Sequence, residues 1–207
     1  MGFNLPEIKG DIVFESFPAG PLQCNCSIVG DPVTKRCVVV DPGGDPEKIV
    51  AIVDENGRRQ VITSATSRVR SYDLETGKMI WECSGMTHNV IPTPVYGDGR
   101  LYVTSGFRGN VLLAIQLSDA KGDITDSDAV LWRYDRDTPY TPSPLLYGDH
   151  LYLLKRNNGI LSCLNAKTGA PYFGPQRVGG IDGIYASPVG ASDRVYITGR
   201  NGTTVVI

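Results

Sequence analysis

The chain has 207 residues, enough for one or two domains with a real core. Its 41% hydrophobic and 20% charged content is that of a globular protein, and a formal net charge of -2 argues against nucleic acid or an anionic membrane surface as the main partner, since both select a basic face. No run approaches the roughly 18 apolar residues needed to span a bilayer, while 24 Gly, 14 Pro and 10 Tyr among many Val and Ile point to a β-rich chain with many turns.

The opening Met1–Glu7 lacks a basic region followed by an apolar run, so no export signal is expected and the cytoplasm is the default compartment. The five cysteines are then expected as thiols. Cys24 and Cys26 read as buried strand thiols, because a metal site would need a second ligand pair and none follows. Three strand-like runs come first, at 11–17, 24–29 and 36–41. A helix is expected next: Asp45 as N-cap, Pro46 at the first helical position, Ile49, Val50, Ile52 and Val53 as its apolar face, and Asn56-Gly57 as its stop. Together these predict a small ββα segment over 1–57, with Asp41-Pro-Gly-Gly44 as a sharp strand-to-helix loop.

The runs Pro21-Leu-Gln-Cys-Asn-Cys-Ser-Ile-Val-Gly30 and Val38-Val-Val-Asp-Pro-Gly-Gly-Asp-Pro46 resemble the opening of metallo-β-lactamase-fold hydrolases of the glyoxalase II type, over residues 10–57. That resemblance would imply zinc held by a His-x-His-x-Asp-His motif after the next strand. Here that place reads Glu55-Asn-Gly-Arg-Arg-Gln-Val-Ile-Thr-Ser64, and the chain's two histidines are His88 and His150. A zinc hydrolase needs about three ligands and an open position for water, so no metal residue is carried over.

From residue 58 the chain repeats itself. Thr93-Pro94-Val-Tyr-Gly-Asp-Gly-Arg-Leu-Tyr102 aligns with Ser143-Pro144-Leu-Leu-Tyr-Gly-Asp-His-Leu-Tyr152 and with Ser187-Pro188-Val-Gly-Ala-Ser-Asp-Arg-Val-Tyr196. Tyr72-Asp-Leu-Glu-Thr-Gly-Lys-Met-Ile-Trp81 aligns with Leu164-Asn-Ala-Lys-Thr-Gly-Ala-Pro-Tyr-Phe173, and the copy ending at Trp132 is stretched by the polar segment Asp119–Asp128. Each unit is expected to run as an apolar strand into an Asp/Asn-x-x-Thr-Gly turn, then a strand bearing Trp81, Trp132 or Phe173, then Ser/Thr-Pro and a third strand, then a fourth strand with the repeated Tyr. Asn158-Gly159 and Asn201-Gly202 mark hairpins. Four short antiparallel strands per period describe a propeller blade, with the aromatics packed between blades. Asp119–Asp128 is expected as a mobile surface insert, since it lacks the spacing and terminal Glu of a calcium loop.

This second pattern resembles the pyrroloquinoline quinone (PQQ) type β-propeller repeat over 60–207. The expected fold is therefore mainly β: an incomplete PQQ-like propeller of about three four-stranded blades over 58–207, preceded by the ββα segment. The resemblance implies either a quinone-dependent dehydrogenase using PQQ with Ca²⁺ or a non-catalytic scaffold. The dehydrogenases place their quinone near two adjacent cysteines and a calcium-binding acidic set; Cys83 and Cys163 stand apart in this sequence. The expectation is thus a non-catalytic repeat protein without cofactor, in protein interaction or scaffolding, with a protein partner completing an open arc. The dehydrogenase, or a remnant of a zinc hydrolase, is the alternative. Arg108, Arg156 and Arg200 recur after the repeated Tyr and form a candidate interaction rim. Thr138-Pro-Tyr-Thr-Pro-Ser-Pro144 reads as a rigid inter-strand loop. An imperfect core is expected near 55–62, and Thr203–Ile207 is expected to open a further blade.

Overall fold

In a computed structural model the described residues are 7–9, 12–19, 24–30, 37–40, 51–53, 59–73 and 76–207. By contacts the chain divides into Met1–Ile62 with Tyr72–Lys78, and Thr63–Ser71 with Met79–Ile207. Among the described residues there is no α-helix; one 3-10 turn covers Leu117–Asp119.

The amino-terminal residues form an antiparallel meander of β1 (Glu7–Lys9), β2 (Ile12–Ala19), β3 (Cys24–Gly30) and β4 (Cys37–Val40). Strands β2 to β4 coincide with the three expected runs, whereas Asp41–Gly44 lies outside the described residues. The expected helix is corrected at its end: Ala51–Val53 is a strand, β5, antiparallel to β6 (Arg59–Ala65) with Ile52 opposite Gln60. An apolar run of β-branched residues satisfies both periods, and pairing with a neighbouring strand decides for the extended form. The rest of that helix, and part of the expected weak junction, falls outside the described residues. Gln60 and Ile62 are buried.

The remaining strands form one five-stranded sheet and three shorter ones. Strand β5 and β6 continue through β7 (Arg68–Asp73) and β8 (Met79–Ser84) to β12 (Gly122–Asp123), which pairs parallel to β8. The second sheet holds β9 (Val95–Gly97), β10 (Arg100–Ser105), β11 (Val111–Gln116) and β13 (Val130–Tyr134). The third holds β14 (Leu145–Tyr147), β15 (His150–Lys155), β16 (Ile160–Asn165) and β17 (Pro171–Arg177). The last holds β18 (Val189–Ala191), β19 (Arg194–Thr198) and β20 (Thr204–Val206). Register repeats from sheet to sheet: Val95 faces Tyr102, Leu145 faces Tyr152, and Val189 faces Tyr196.

Two expectations about the repeat change. In the second and third sheets the Ser/Thr-Pro strand is the first and the aromatic strand the last, so the sheet boundary falls in the long Pro-containing loop. Short turns keep neighbouring strands in one sheet, and the loop 135–144 is long enough to cross to the next. The closing residues are likewise not the opening of a further blade: β20 is the third strand of the last sheet, paired with β19 through Tyr196 and Val206.

Successive sheets pack face to face. One core joins Tyr102, Leu112 and Ala114 of the second sheet to Leu151, Leu153, Leu164 and Ala166 of the third. Another joins Leu154 and Leu161 to Val178, Ile181, Ile184, Val195 and Ile197. Each fully buried Leu or Ile contributes about 2 kcal/mol of burial free energy, so these two faces are the main cohesive element.

A hydroxyl ladder runs across the same boundaries. The Thr93 backbone N–H donates to Ser143 Oγ at 2.9 Å, and the Ser143 N–H donates to Ser187 Oγ at 2.9 Å. The hydroxyls of Ser143 and Ser187 thus each accept from the preceding blade. This explains physically why a hydroxyl residue recurs there, a role that spacing alone did not disclose.

Residues Asp119–Asp128 are docked rather than free. Ile124 is 1% exposed, its N–H donates to the Glu82 carbonyl at 2.9 Å, and the Ser84 N–H donates to Thr125 Oγ1 at 3.0 Å. Polar composition suggested a solvated loop, but Ile124 and Ala120 are buried and carry the segment onto the outer edge of β8.

Candidate functional site

The three arginines lie in the hairpins between second and third strands: Arg108 between β10 and β11, Arg156 between β15 and β16, and Arg200 between β19 and β20. All three are exposed. Arg108 and Arg156 adopt left-handed backbone conformations, with φ of 55° and 48°. The Arg156 N–H donates to the Thr138 carbonyl at 3.1 Å and the Arg200 N–H to the Gly183 carbonyl at 3.0 Å. Each of these two hairpins is therefore pinned to the loop that enters its own sheet, which holds the arginine stems in place without tying up the guanidinium groups.

Aromatic rings accompany two of the arginines. The Arg108 guanidinium lies 5.4 Å from the centroid of Phe107, which in turn stacks on Tyr140 at 5.0 Å. The Tyr140 hydroxyl accepts from Asn89 Nδ2 at 2.9 Å. Arg200 lies 5.0 Å from the Tyr185 centroid, and Tyr185 is 50% exposed. Such cation–π contacts cost little side-chain freedom and leave the outer guanidinium edge available for carboxylates. Phe107 and Tyr185 were not singled out in the sequence, and Tyr140 entered only as part of the Thr138–Pro144 loop. Their signal was present, as each lies in or opposite an arginine-bearing loop, but spacing does not show which rings stack.

The Thr138–Pro144 loop supports this rim from below. The buried Thr138 hydroxyl donates to the Ser105 carbonyl at 2.8 Å and lies 3.2 Å from Asn110 Oδ1, which bridges it to the Arg108 hairpin.

At the other end of the third sheet sits a second polar group. His150 Nδ1 lies 2.8 Å from Asp149 Oδ1, and the ring stacks on Tyr172 at 4.7 Å. His88 is exposed in a loop at the arginine end, so the two histidines are not brought together. Among the described residues no group of three potential ligands could hold a metal ion.

The thiols of Cys83 and Cys163 are not brought together. Cys83 is on β8 and Cys163 on β16, in different sheets, both buried. Burial pushes the Cys163 thiol up to about 11, with Asp149 adding to the rise and a hydrogen bond with Tyr152 opposing it. Both indoles are engaged in packing. Trp81 is fully buried. Trp132 Nε1 donates to the Ala166 carbonyl of the next sheet at 3.2 Å, and that carbonyl also accepts from the Tyr102 hydroxyl at 2.9 Å. The turn that receives Trp132 has a close counterpart at Asp73–Gly77. Gly77 N–H donates to the Asp73 carbonyl and Gly169 N–H to the Asn165 carbonyl, each at 2.8 Å, while Thr76 and Thr168 donate to the preceding carboxylate or amide oxygen.

Repeated sheets of short antiparallel strands, stacked through apolar faces and joined by Ser/Thr-Pro crossings, define a partial β-propeller. Residues 48–207 match the sequence family described as outer membrane protein assembly factor BamB, and the chain belongs to that family. Its fold is similar to that of BamB from Moraxella catarrhalis, at a TM-score of 0.50 and 15% identity, covering 96% of this chain and 58% of that one. A quinohemoprotein alcohol dehydrogenase from Comamonas testosteroni aligns at a TM-score of 0.49 and 13% identity, over 98% of this chain and 40% of that one. A curated protein of Aquifex aeolicus (strain VF5), called only an uncharacterized protein, is 34% identical over 44 residues, which is 21% of each chain. The chain therefore spans less than two thirds of the length of each of these proteins. No described helix is long and apolar enough to cross a membrane.

Proposed function

We propose that this chain is a non-catalytic propeller protein that works by binding other proteins, and that the rim of Arg108, Arg156 and Arg200 is its contact surface. The observation that carries this reading is the pinning of the Arg156 and Arg200 hairpins together with the stacking of Arg108 and Arg200 on Phe107 and Tyr185. Aromatics beside fixed guanidinium groups, Phe107 half-buried and Tyr185 exposed, are the composition of protein-binding hot spots, and the arginine charge selects an acidic partner surface. The family description, an outer membrane protein assembly factor, supports a role in assembly rather than in turnover of a small substrate. The engagement of Trp81 and Trp132 in packing supports a protein that works without a quinone.

A photo-crosslinking residue at Phe107 or Tyr185 tests the proposal. It should trap an identified protein partner, and Tyr172, at the other end of its sheet, should not. Replacing all three arginines by Ala should abolish the crosslink. Equal trapping from Tyr172, or quinone- and Ca²⁺-dependent oxidation of an alcohol or sugar by the purified chain, would overturn it. For residues 10–57 the proposal remains a metallo-β-lactamase-like segment without zinc chemistry. About one zinc per purified chain would contradict that part.

A further inference from the structure

The fourth strand of a blade is its outer edge, with a row of backbone N–H and C=O groups left unpaired by its own sheet. The described strands of this kind are β8, β13 and β17, and each edge is interrupted in a different way. In β13, Trp132 stands opposite Ala114 and Val130 opposite Ile115, so Leu131 is an extra residue that bulges the strand. Strand β17 carries Pro171 and Pro175 and shifts register twice against β16. Strand β8, Met79-Ile-Trp-Glu-Cys-Ser84, holds neither proline nor glycine.

It is β8 that the Asp119–Asp128 segment covers. Gly122 and Asp123 pair with Trp81 and Glu82. The Ile124 N–H donates to the Glu82 carbonyl at 2.9 Å, and the Ser84 N–H donates to Thr125 Oγ1 at 3.0 Å. A side-chain hydroxyl thus closes the row where the next backbone rung would stand. The edge that replaces β8 is two residues long, with Gly122 at a φ of 69° and the exposed charges of Lys121 and Asp123 beside it. Hydrogen bonds from the Thr125 hydroxyl and backbone N–H hold the Asp123 carboxyl below its ordinary range, so that charge persists. A short, charged strand gives another chain little to pair with. The turn itself does not need the segment. The Gln116 N–H donates to the Ala129 carbonyl as that of Asn165 does to Ala170, and the Leu117 N–H donates to the Gly99 carbonyl as that of Ala166 does to Asp149. Everything between Leu117 and Ala129 is therefore additional to the turn of the third sheet, yet Ala120 and Ile124 within it are buried.

We propose that Asp119–Asp128 is an edge guard, and that the β8 edge beneath it is a latent self-association surface for a second copy of the chain. Two uncovered β8 edges pair antiparallel about a two-fold axis, an arrangement that needs no separate complementary surface. The Glu82 backbone points outward to β12, so by the alternation of the ladder those of Ile80 and Ser84 do the same. Pairing centred on Trp81 sets Ile80 of one copy opposite Glu82 of the other and keeps the two Glu82 carboxylates from facing each other.

Replacing Ser118–Asp128 by Lys-Thr-Gly, together with Gln116→Asn, gives the second sheet the turn of the third. In analytical ultracentrifugation the shortened chain should dimerise with a Kd below about 1 mM, at least about tenfold more tightly than the full chain. The amides of Ile80 and Glu82 should exchange at least about tenfold more slowly in the dimer than in the shortened monomer. Ile80→Pro in the shortened chain removes an N–H directed away from β7, and should weaken dimerisation about tenfold or more with circular dichroism unchanged. If the shortened chain does not fold, Ile124→Ala in the full chain keeps the segment but loosens its seat, and should show the same proline-sensitive dimer. Association no tighter than that of the full chain overturns the proposal, as does association indifferent to Ile80→Pro, which would mark exposed apolar surface rather than strand pairing. Replacing Arg108, Arg156 and Arg200 should leave the dimer intact, so this inference and the proposed rim stand or fall separately; loss of the dimer in that variant would also overturn it.

Discussion

Adding one methyl group at Gly169 should cost far more stability than adding it at Gly77. Both glycines close the same Asp/Asn-x-x-Thr-Gly turn in left-handed conformations, with φ of 73° and 68°. A Cβ at Gly77 meets nothing within 4 Å, whereas at Gly169 it meets Trp132 Cδ2 and Cε3 at 2.8 Å. The backbone term is common to both and amounts to about 1 kcal/mol for a non-glycine residue in that region. At Gly169 the indole must also move off the turn, an overpacking cost of about 1–3 kcal/mol, and its hydrogen bond to the Ala166 carbonyl at 3.2 Å is disturbed. Gly77→Ala is thus expected to lose about 1 kcal/mol and Gly169→Ala about 2–4 kcal/mol. Urea unfolding followed by far-ultraviolet circular dichroism measures both with the same slope. Indole emission of Gly169→Ala should also shift to the red as Trp132 is lifted into water. Equal losses for the two variants, or unchanged emission, would refute the docking of Trp132 on the neighbouring blade.

The remaining predictions concern the other inter-blade contacts and the thiols. Ser143→Ala leaves the Thr93 N–H without its acceptor and should cost about 1–3 kcal/mol, while Ser143→Thr should be nearly neutral in the same unfolding assay. Ile124→Ala should destabilise by about 2–4 kcal/mol and increase quenching of Trp81 by acrylamide, because Ile124 holds the Asp119–Asp128 segment on β8. The folded Cys163 thiol ionises near pH 11, above its value of 9.0 in the absence of structure, with burial as the main cause. The neutral form is favoured in the fold, so its contribution to stability is complete below pH 9 and is lost as pH rises towards 11. Cys163→Ser should flatten that part of the stability profile. Alkylation of the native chain at pH 8 should modify Cys83 and Cys163 much more slowly than the urea-unfolded chain, since both thiols are fully buried.

The repeat was legible because its parts are local. Asp73 through Gly77 and Asn165 through Gly169 specify their turns by short-range hydrogen bonds, and Pro94, Pro144 and Pro188 mark equivalent strand entries. Where sheets begin and end was less legible. Deciding that Ser143-Pro144 opens a sheet depends on which strands pair, and that follows from loop length rather than residue type. Residues 51–53 were misassigned because Ile52 and Val53 fit a helix face and a strand equally well until a partner strand is present. The Asp119–Asp128 segment was misjudged because its polar majority concealed one deeply buried residue, Ile124. Of the candidate rim, the arginines were visible as a recurrence. Phe107 and Tyr185, which give two of them direction, became apparent only when loops from different parts of the chain were placed side by side.

The central claim is that Trp132 of β13 seats on the Asn165–Gly169 turn of the following blade. Nuclear Overhauser spectroscopy of the indole-labelled chain tests it directly. The Trp132 ring protons should show strong cross-peaks to the α-protons of Gly169, and the indole N–H should be protected from exchange. Cross-peaks confined to residues of its own sheet, with a freely exchanging N–H, would contradict the stacked-blade architecture.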